Sequence, residues 1–174
     1  CRFYLGSDVP KETKDELAKH NHVEIVNVDQ SNDWQGMFWR FWAVDTEDDV
    51  EIVVFRDTDS RLSTREYEAV REWYQSGRCL HIMRDHPFHS EPIMGGMWGV
   101  RIKPFIELIN NEVYIKHELP EVKDLKTVIN DWLENEYKRT ANDEPDCMEP
   151  INFVTKGIDQ RFLRGFVYKM MGHN

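Results

Sequence analysis

The stretch "VVFRDTDSRL", Val53 to Leu62, sets two carboxylates, Asp57 and Asp59, one residue apart where an apolar run ends. Close carboxylates raise the cost of ionising one another, so a cation between them is the natural complement. Oxygen donors in a short turn suit Mg²⁺ or Mn²⁺, which keep some waters and complete their shell with substrate phosphates. A nucleotide diphosphate is the third party this chemistry asks for. The plainer alternative is a surface turn whose aspartates satisfy backbone amides.

Other chemistries fit less well. A calcium-loop register starting at Asp57 puts Arg61 at a ligand position and Leu62 where glycine is required. A haloacid-dehalogenase-type phosphohydrolase also opens with two aspartates after an apolar strand, the first as nucleophile. It wants Thr or Val two residues after the second aspartate, where this chain has Arg61, and it stays as the runner-up. His81, His86 and His89 lack the spacing and the cysteine partners of a zinc site.

The elements that must position these groups alternate. "RFYLG", "HVEIVNV", "DVEIVVFRD", "CLHIMRD" and "WGVRI" read as strands, and between them "VPKETKDELAKH", "SNDWQGMFWRFWAVD" and "STREYEAVREWYQSG" read as helices. Ser63 with Glu66 three residues on forms a capping box, and Gly77 stops that helix. "HPFHSEPIMGGMWG" is a Pro- and Gly-rich loop, and "KPFIELINN" is a helix or a pair of turns. "EVKDLKTVINDWLENEYKRT" and "GIDQRFLRGFVYKMM" are helical, with the polar loop "ANDEPDCMEP" between them. This order predicts one α/β domain with a central, mostly parallel sheet flanked by helices. Ligands of such sheets gather at the carboxyl ends of the strands, where Asp57 and Asp59 fall.

Composition narrows the partners. The 174 residues carry a net charge of -10, which disfavours nucleic acid and anionic membranes while leaving nucleotide-sized anions open once a metal reverses the local field. No apolar run approaches the roughly 18 residues of a membrane span, and no signal peptide is visible, which predicts a soluble protein of the cytoplasm or a host cytosol. Three cysteines without CxxC spacing predict isolated thiols. Oligomeric state is not readable.

"WQGMFWRF", "RDTDSRLSTRE", "HIMRDHPFHSEPIMGGMWGVR" and "GIDQRFL", spread from Trp34 to Leu163, together resemble the metal-dependent, nucleotide-sugar glycosyltransferases of the GT-A fold, close to small ones of large algal viruses and bacterial relatives. The resemblance implies a Rossmann-like GT-A domain that moves a sugar from a UDP-, GDP- or dTDP-sugar to a hydroxyl acceptor on a glycan. Mn²⁺ or Mg²⁺ would sit at Asp57 and Asp59, with Asp59 the stronger ligand, Asp57 on the ribose or on the metal through water, and His173 completing the shell. Arg40 would bind donor or partner the first aspartate, and Arg61 would flank the diphosphate. Asp85 or His86 would meet sugar hydroxyls, Gly95 and Gly96 would let backbone approach the sugar, and Trp98 would stack on a ring. Asp159 and Gln160 resemble the Asp-Gln pair by the anomeric carbon of retaining members, which favours retention; Asp85 or Asp159 would serve as base in an inverting enzyme. The family's domain opens with a strand and loop that hold the base, and this chain starts at what resembles the second strand. A first strand is therefore expected to be missing, and a non-catalytic sugar- or nucleotide-binding domain is the contrasting expectation.

Overall fold

A computed structural model describes residues 1–30, 34–45, 49–84, 86–87, 89–122, 124–143 and 157–171. Strand β1 (Arg2–Leu5) leads through helix α1 (Lys11–Leu17) to β2 (Glu24–Asn27), and the two strands pair in parallel with Arg2 opposite Glu24 and Leu5 opposite Asn27. A 3₁₀ helix over Trp34–Asp45 follows, then β3 (Ile52–Arg56), α2 (Thr64–Ser76), β4 (Leu80–Ile82) and β5 (Met97–Arg101).

The predicted alternation of strands and helices is present, but the predicted central parallel sheet is not among the described residues. The larger sheet is antiparallel, in the order β3–β5–β4. The physical reason lies in the connection. The crossover β3–α2–β4 leaves β3 and β4 pointing the same way, as a helical link requires. β5 then slots between them, antiparallel to both. Gly99 permits this close pairing, since a Cβ there would stand 2.8 Å from the Val53 carbonyl oxygen.

The segment around Trp34–Asp45 is helical as expected, but wound as 3₁₀. Phe38, Phe41 and Val44 are buried at intervals of three, and a three-residue turn stacks that spacing into one stripe. The stripe meets the sheet: Phe41 lies edge-on to Phe55 and to Trp98, each at 5.4 Å between centroids, and Trp98 stacks on Phe55 at 4.3 Å.

Helix α2 starts on the capping box foreseen for it. The Ser63 hydroxyl accepts from the Glu66 amide at 3.3 Å, Glu66 accepts from the Ser63 amide at 3.2 Å, and Gly77 ends the helix at φ 67°.

Helix α3 (Ile102–Ile109) runs on as a π-helical turn, Asn110–Tyr114. Helix α4 (Leu125–Asp143) is capped twice. Asp124 accepts from the Thr127 amide at 2.7 Å, while Asp45, far off in sequence, accepts from the Leu125 and Lys126 amides at 2.5 and 3.0 Å. Helix α5 (Ile158–Phe162), a π-helical stretch Leu163–Tyr168 and α6 (Lys169–Met171) close the described chain. No helix among the described residues is long and apolar enough to cross a membrane.

Candidate functional site

Four segments distant in sequence meet at the carboxyl end of β3. Asp57 leaves the strand into a turn closed by the Ser60 amide donating to the Asp57 carbonyl at 3.0 Å, with Thr58 and Asp59 at the exposed corners. The turn is braced from behind. Arg56 Nε donates to Glu66 Oε1 at 2.8 Å, and both side chains are largely buried, which ties the end of β3 to the first turn of α2.

Arg40 reaches Asp57 from the aromatic 3₁₀ helix. Its Nη1 forms an ion pair with Asp57 Oδ1, and its Nε donates to the Met37 carbonyl at 3.1 Å, so the guanidinium is held at both ends. Of the two expectations for Arg40, the geometry displays the pairing with the first aspartate.

The loop before β5 supplies the floor. A Cβ on Gly96 would collide with the Asp57 carboxylate and stand 2.7 Å from the Asp57 amide nitrogen; one on Gly95 would stand 3.1 Å from Asp159 Oδ2 and 3.6 Å from Arg40 Nη1. The bare glycine backbone is what lets Asp57, Arg40 and Asp159 crowd together.

Helix α5 brings Asp159, one of two buried polar side chains named among the described residues, the other being His81. Burial pushes the Asp159 carboxyl above the usual carboxylate range; Arg40 pulls it back and Asp57 pushes it up again. Asp159 is therefore a carboxyl that takes a proton, or a cation, more readily than a solvated one.

Gln160 does something other than face the reacting groups. Its Oε1 accepts from the Gly95 amide at 2.7 Å and its Nε2 donates to the Ile93 carbonyl at 2.6 Å. With both ends of the amide on backbone, Gln160 clamps the glycine loop as a neighbouring strand would, and it acts on the site through Gly95.

The other expected residues are spread more widely. Asp59 and Arg61 are exposed on the turn. His86 is exposed, its ring 5.3 Å from that of His89. Trp98 needs correction: its side chain has no exposed surface and fills the core between Phe55, Phe41 and Phe105, so it offers no platform to a sugar ring. An indole on the central strand of a three-stranded sheet has both neighbours' side chains to pack against, and burial there outweighs exposure. Asp85 and His173 lie outside the described residues. Among those described, no three His, Cys, Asp or Glu side chains stand close enough to hold a metal together.

Met37, Ile93 and Glu66 were not singled out from sequence. The first two act through backbone carbonyls, which no side-chain pattern advertises. Glu66 was visible only as half of a capping box.

Compared with protein-family models, curated proteins and solved structures, the chain matches none.

Proposed function

We propose that this chain is a GT-A-type glycosyltransferase domain that moves a sugar from a nucleotide-diphosphate donor to a hydroxyl acceptor on a glycan. The observation that carries the proposal is the convergence of Arg40, Asp57, Gly95, Gly96 and Asp159, all selected by motif resemblance, at one strand end. Unrelated motifs have no reason to meet there.

The residues present fit a hard divalent cation: Asp57 and Asp59 offer carboxylate oxygens on one exposed turn, and the bare backbone of Gly96 lets the Asp57 carboxylate lie directly against it. Mn²⁺ or Mg²⁺ bound by them would neutralise the diphosphate as it leaves, with water and phosphate oxygens completing the shell. Arg40 holds Asp57 in place and adds positive charge on the donor's side. Gln160 fixes the Gly95–Gly96 backbone, so the floor of the site does not move as a donor enters. Asp159 places a buried carboxyl beside that floor, where it stabilises positive charge developing on the sugar ring once ionised.

One specific observation favours a second reading. Arg40 already neutralises Asp57, so a nucleotide or sugar is able to bind with no metal and no turnover. Titrating UDP, GDP and dTDP into the chain, each with Mn²⁺ and with chelator, separates the two. Metal-dependent binding of one nucleotide, abolished by Asp59→Ala with the fold intact, supports the transferase. Chelator-resistant binding supports the metal-free reading, and binding unchanged in Asp59→Ala removes the metal assignment.

A further inference from the structure

Helix α2 is seated lightly on its sheet. Trp73 is the one buried residue among its thirteen, and Ala69 and Val70 are half-buried. The indole is fixed from its own side, its Nε1 donating to the Arg78 carbonyl at 2.8 Å. Beneath it lies His81 of β4, whose ring stacks on the indole at 5.2 Å between centroids. Polar ties hold the two ends of the helix: the Arg56–Glu66 pair near its start, which braces the end of β3 behind Asp57, and Arg101 donating to the Tyr74 carbonyl at 2.5 Å near its end.

His81 is 7% exposed, and its Nε2 is buried with no hydrogen-bond partner among the described residues. Imidazole gains its charge in mild acid, and the surroundings offer that charge no counter-ion. Burial first, and then the like charge of Arg56 on β3, hold the ring below its ordinary 6.5. Glu66 is the half-buried carboxylate of α2, and both its oxygens are engaged, Oε1 by Arg56 Nε at 2.8 Å and Oε2 by the Ser63 amide at 3.2 Å. The other charges of α2, Arg65, Glu68, Arg71 and Glu72, are exposed. On β5, Gly99 stands opposite His81 without a side chain, and Arg101, next on that face, is paired with Glu51. On β4 itself Cys79 shares the face, with burial raising its thiol and so keeping it neutral.

We propose that His81 is an acid-operated release for helix α2. Once it takes a proton from solvent, the imidazolium leaves the Trp73 stack for water or takes Glu66 from Arg56. The helix then lifts from the sheet, and its tie to the end of β3 is undone. Local opening is the cheaper response to the buried charge. One indole seats α2, whereas on the sheet's opposite face Phe41, Phe55, Trp98 and Phe105 pack on one another and hold the core closed. The sign follows from linkage. In the lifted state the ring recovers its ordinary value, so the seat is complete above 6.5 and is lost as pH falls through the lowered value. The device acts on the brace of the Asp57–Asp59 turn and holds whichever ligand that turn takes.

Amide exchange of the chain, resolved by residue and corrected for intrinsic rates, tests this at about pH 7.5 and about pH 5. Protection of the α2 amides over residues 67–76 is expected to fall about tenfold at the lower pH, and by no more than the roughly thirtyfold that a ring returning to its ordinary value allows. The amides of α3 over residues 106–109 and of the β3–β5 ladder are expected to keep their protection. In His81→Phe, which fills the same seat with a ring that takes no proton, the fall at α2 is expected to vanish. Unchanged protection of α2 in the unaltered chain overturns the proposal. So does an equal fall at α2 and α3, which is global unfolding, or a fall that persists in His81→Phe. The comparison of α2 with α3 is made within the unaltered chain and decides by itself if the variant does not fold.

Discussion

The two sheets differ in how far they are closed. The antiparallel sheet buries Phe55, Trp98 and Val100 and carries the candidate site at its rim, while the parallel pair β1–β2 has no buried residue. Apolar residues are plentiful in both. What separates them is cover. β5 has a strand on each side and the 3₁₀ stripe against its face, whereas β1 has a strand on one side alone among the described residues and meets the 3₁₀ helix through the Tyr4–Trp42 edge contact. A strand's burial is decided by what packs on it, and the site sits where packing is most complete.

Substitutions should follow that difference. Trp98→Ala removes a fully buried indole and is expected to cost about 3–5 kcal/mol, read as a fall in the denaturant midpoint. Tyr4→Ala in β1, partly exposed and touching Trp42 edge-on, is expected to cost well under half as much. Equal losses would break the comparison.

Next in size is the site itself. Arg40→Met leaves Asp159 buried beside Asp57 without its cation, and about 1–3 kcal/mol is expected to be lost at neutral pH. The sign follows from linkage. The folded carboxyl of Asp159 is raised, so its cost is absent below the ordinary value near 3.8 and grows as pH climbs through the raised one. Urea unfolding at acid and neutral pH should show the variant's deficit widening upward; a deficit independent of pH would separate Arg40 from Asp159.

Gly96→Ala is expected to displace Asp57, weakening metal-dependent nucleotide binding at least tenfold while costing stability by an amount comparable to overpacking, about 1–3 kcal/mol. Calorimetric titration beside a melting curve checks both.

A smaller pH effect belongs to the far side of the same sheet. His81 stacks on Trp73 at 5.2 Å with Nε2 buried and unbonded, and burial, then Arg56, hold its value below the ordinary 6.5. Stability linked to it is full above that value and lost as pH falls through the lowered one. His81→Phe should flatten this slope, seen by comparing melting temperatures at pH 7 and below 6. The smallest effect is expected at the exposed Lys11–Asp15 pair of α1, where Lys11→Ala should change stability by no more than about 0.5 kcal/mol.

Much of the local structure was legible without coordinates. The capping box at Ser63 and Glu66, the stop at Gly77, the strands and the existence of the long helix after residue 120 are written in side-chain types whose propensities act over a few residues, although the sequence reads as helix from Glu121 and the helix starts at Leu125, where Asp45 caps it. Asp57 stands out as one of two carboxylates closing an apolar run and Arg40 as a cation within an aromatic helix, while Asp159 comes to notice only through the motif resemblance of "GIDQRFL". The 3₁₀ winding was less legible, since aromatics at intervals of three and of four overlap in so dense a run.

What the sequence by itself determined is therefore short-range: which segments are strands or helices, where α2 starts and stops, and which polar residues sit at strand ends. Tertiary structure alone decided the rest. It put β5 between β3 and β4 and so made the sheet antiparallel; it buried Trp98; it turned Gln160 into a clamp on backbone. Each of these depends on contacts between residues far apart in the chain, whose energies come from shape and burial once the elements meet, and no local pattern encodes where they meet.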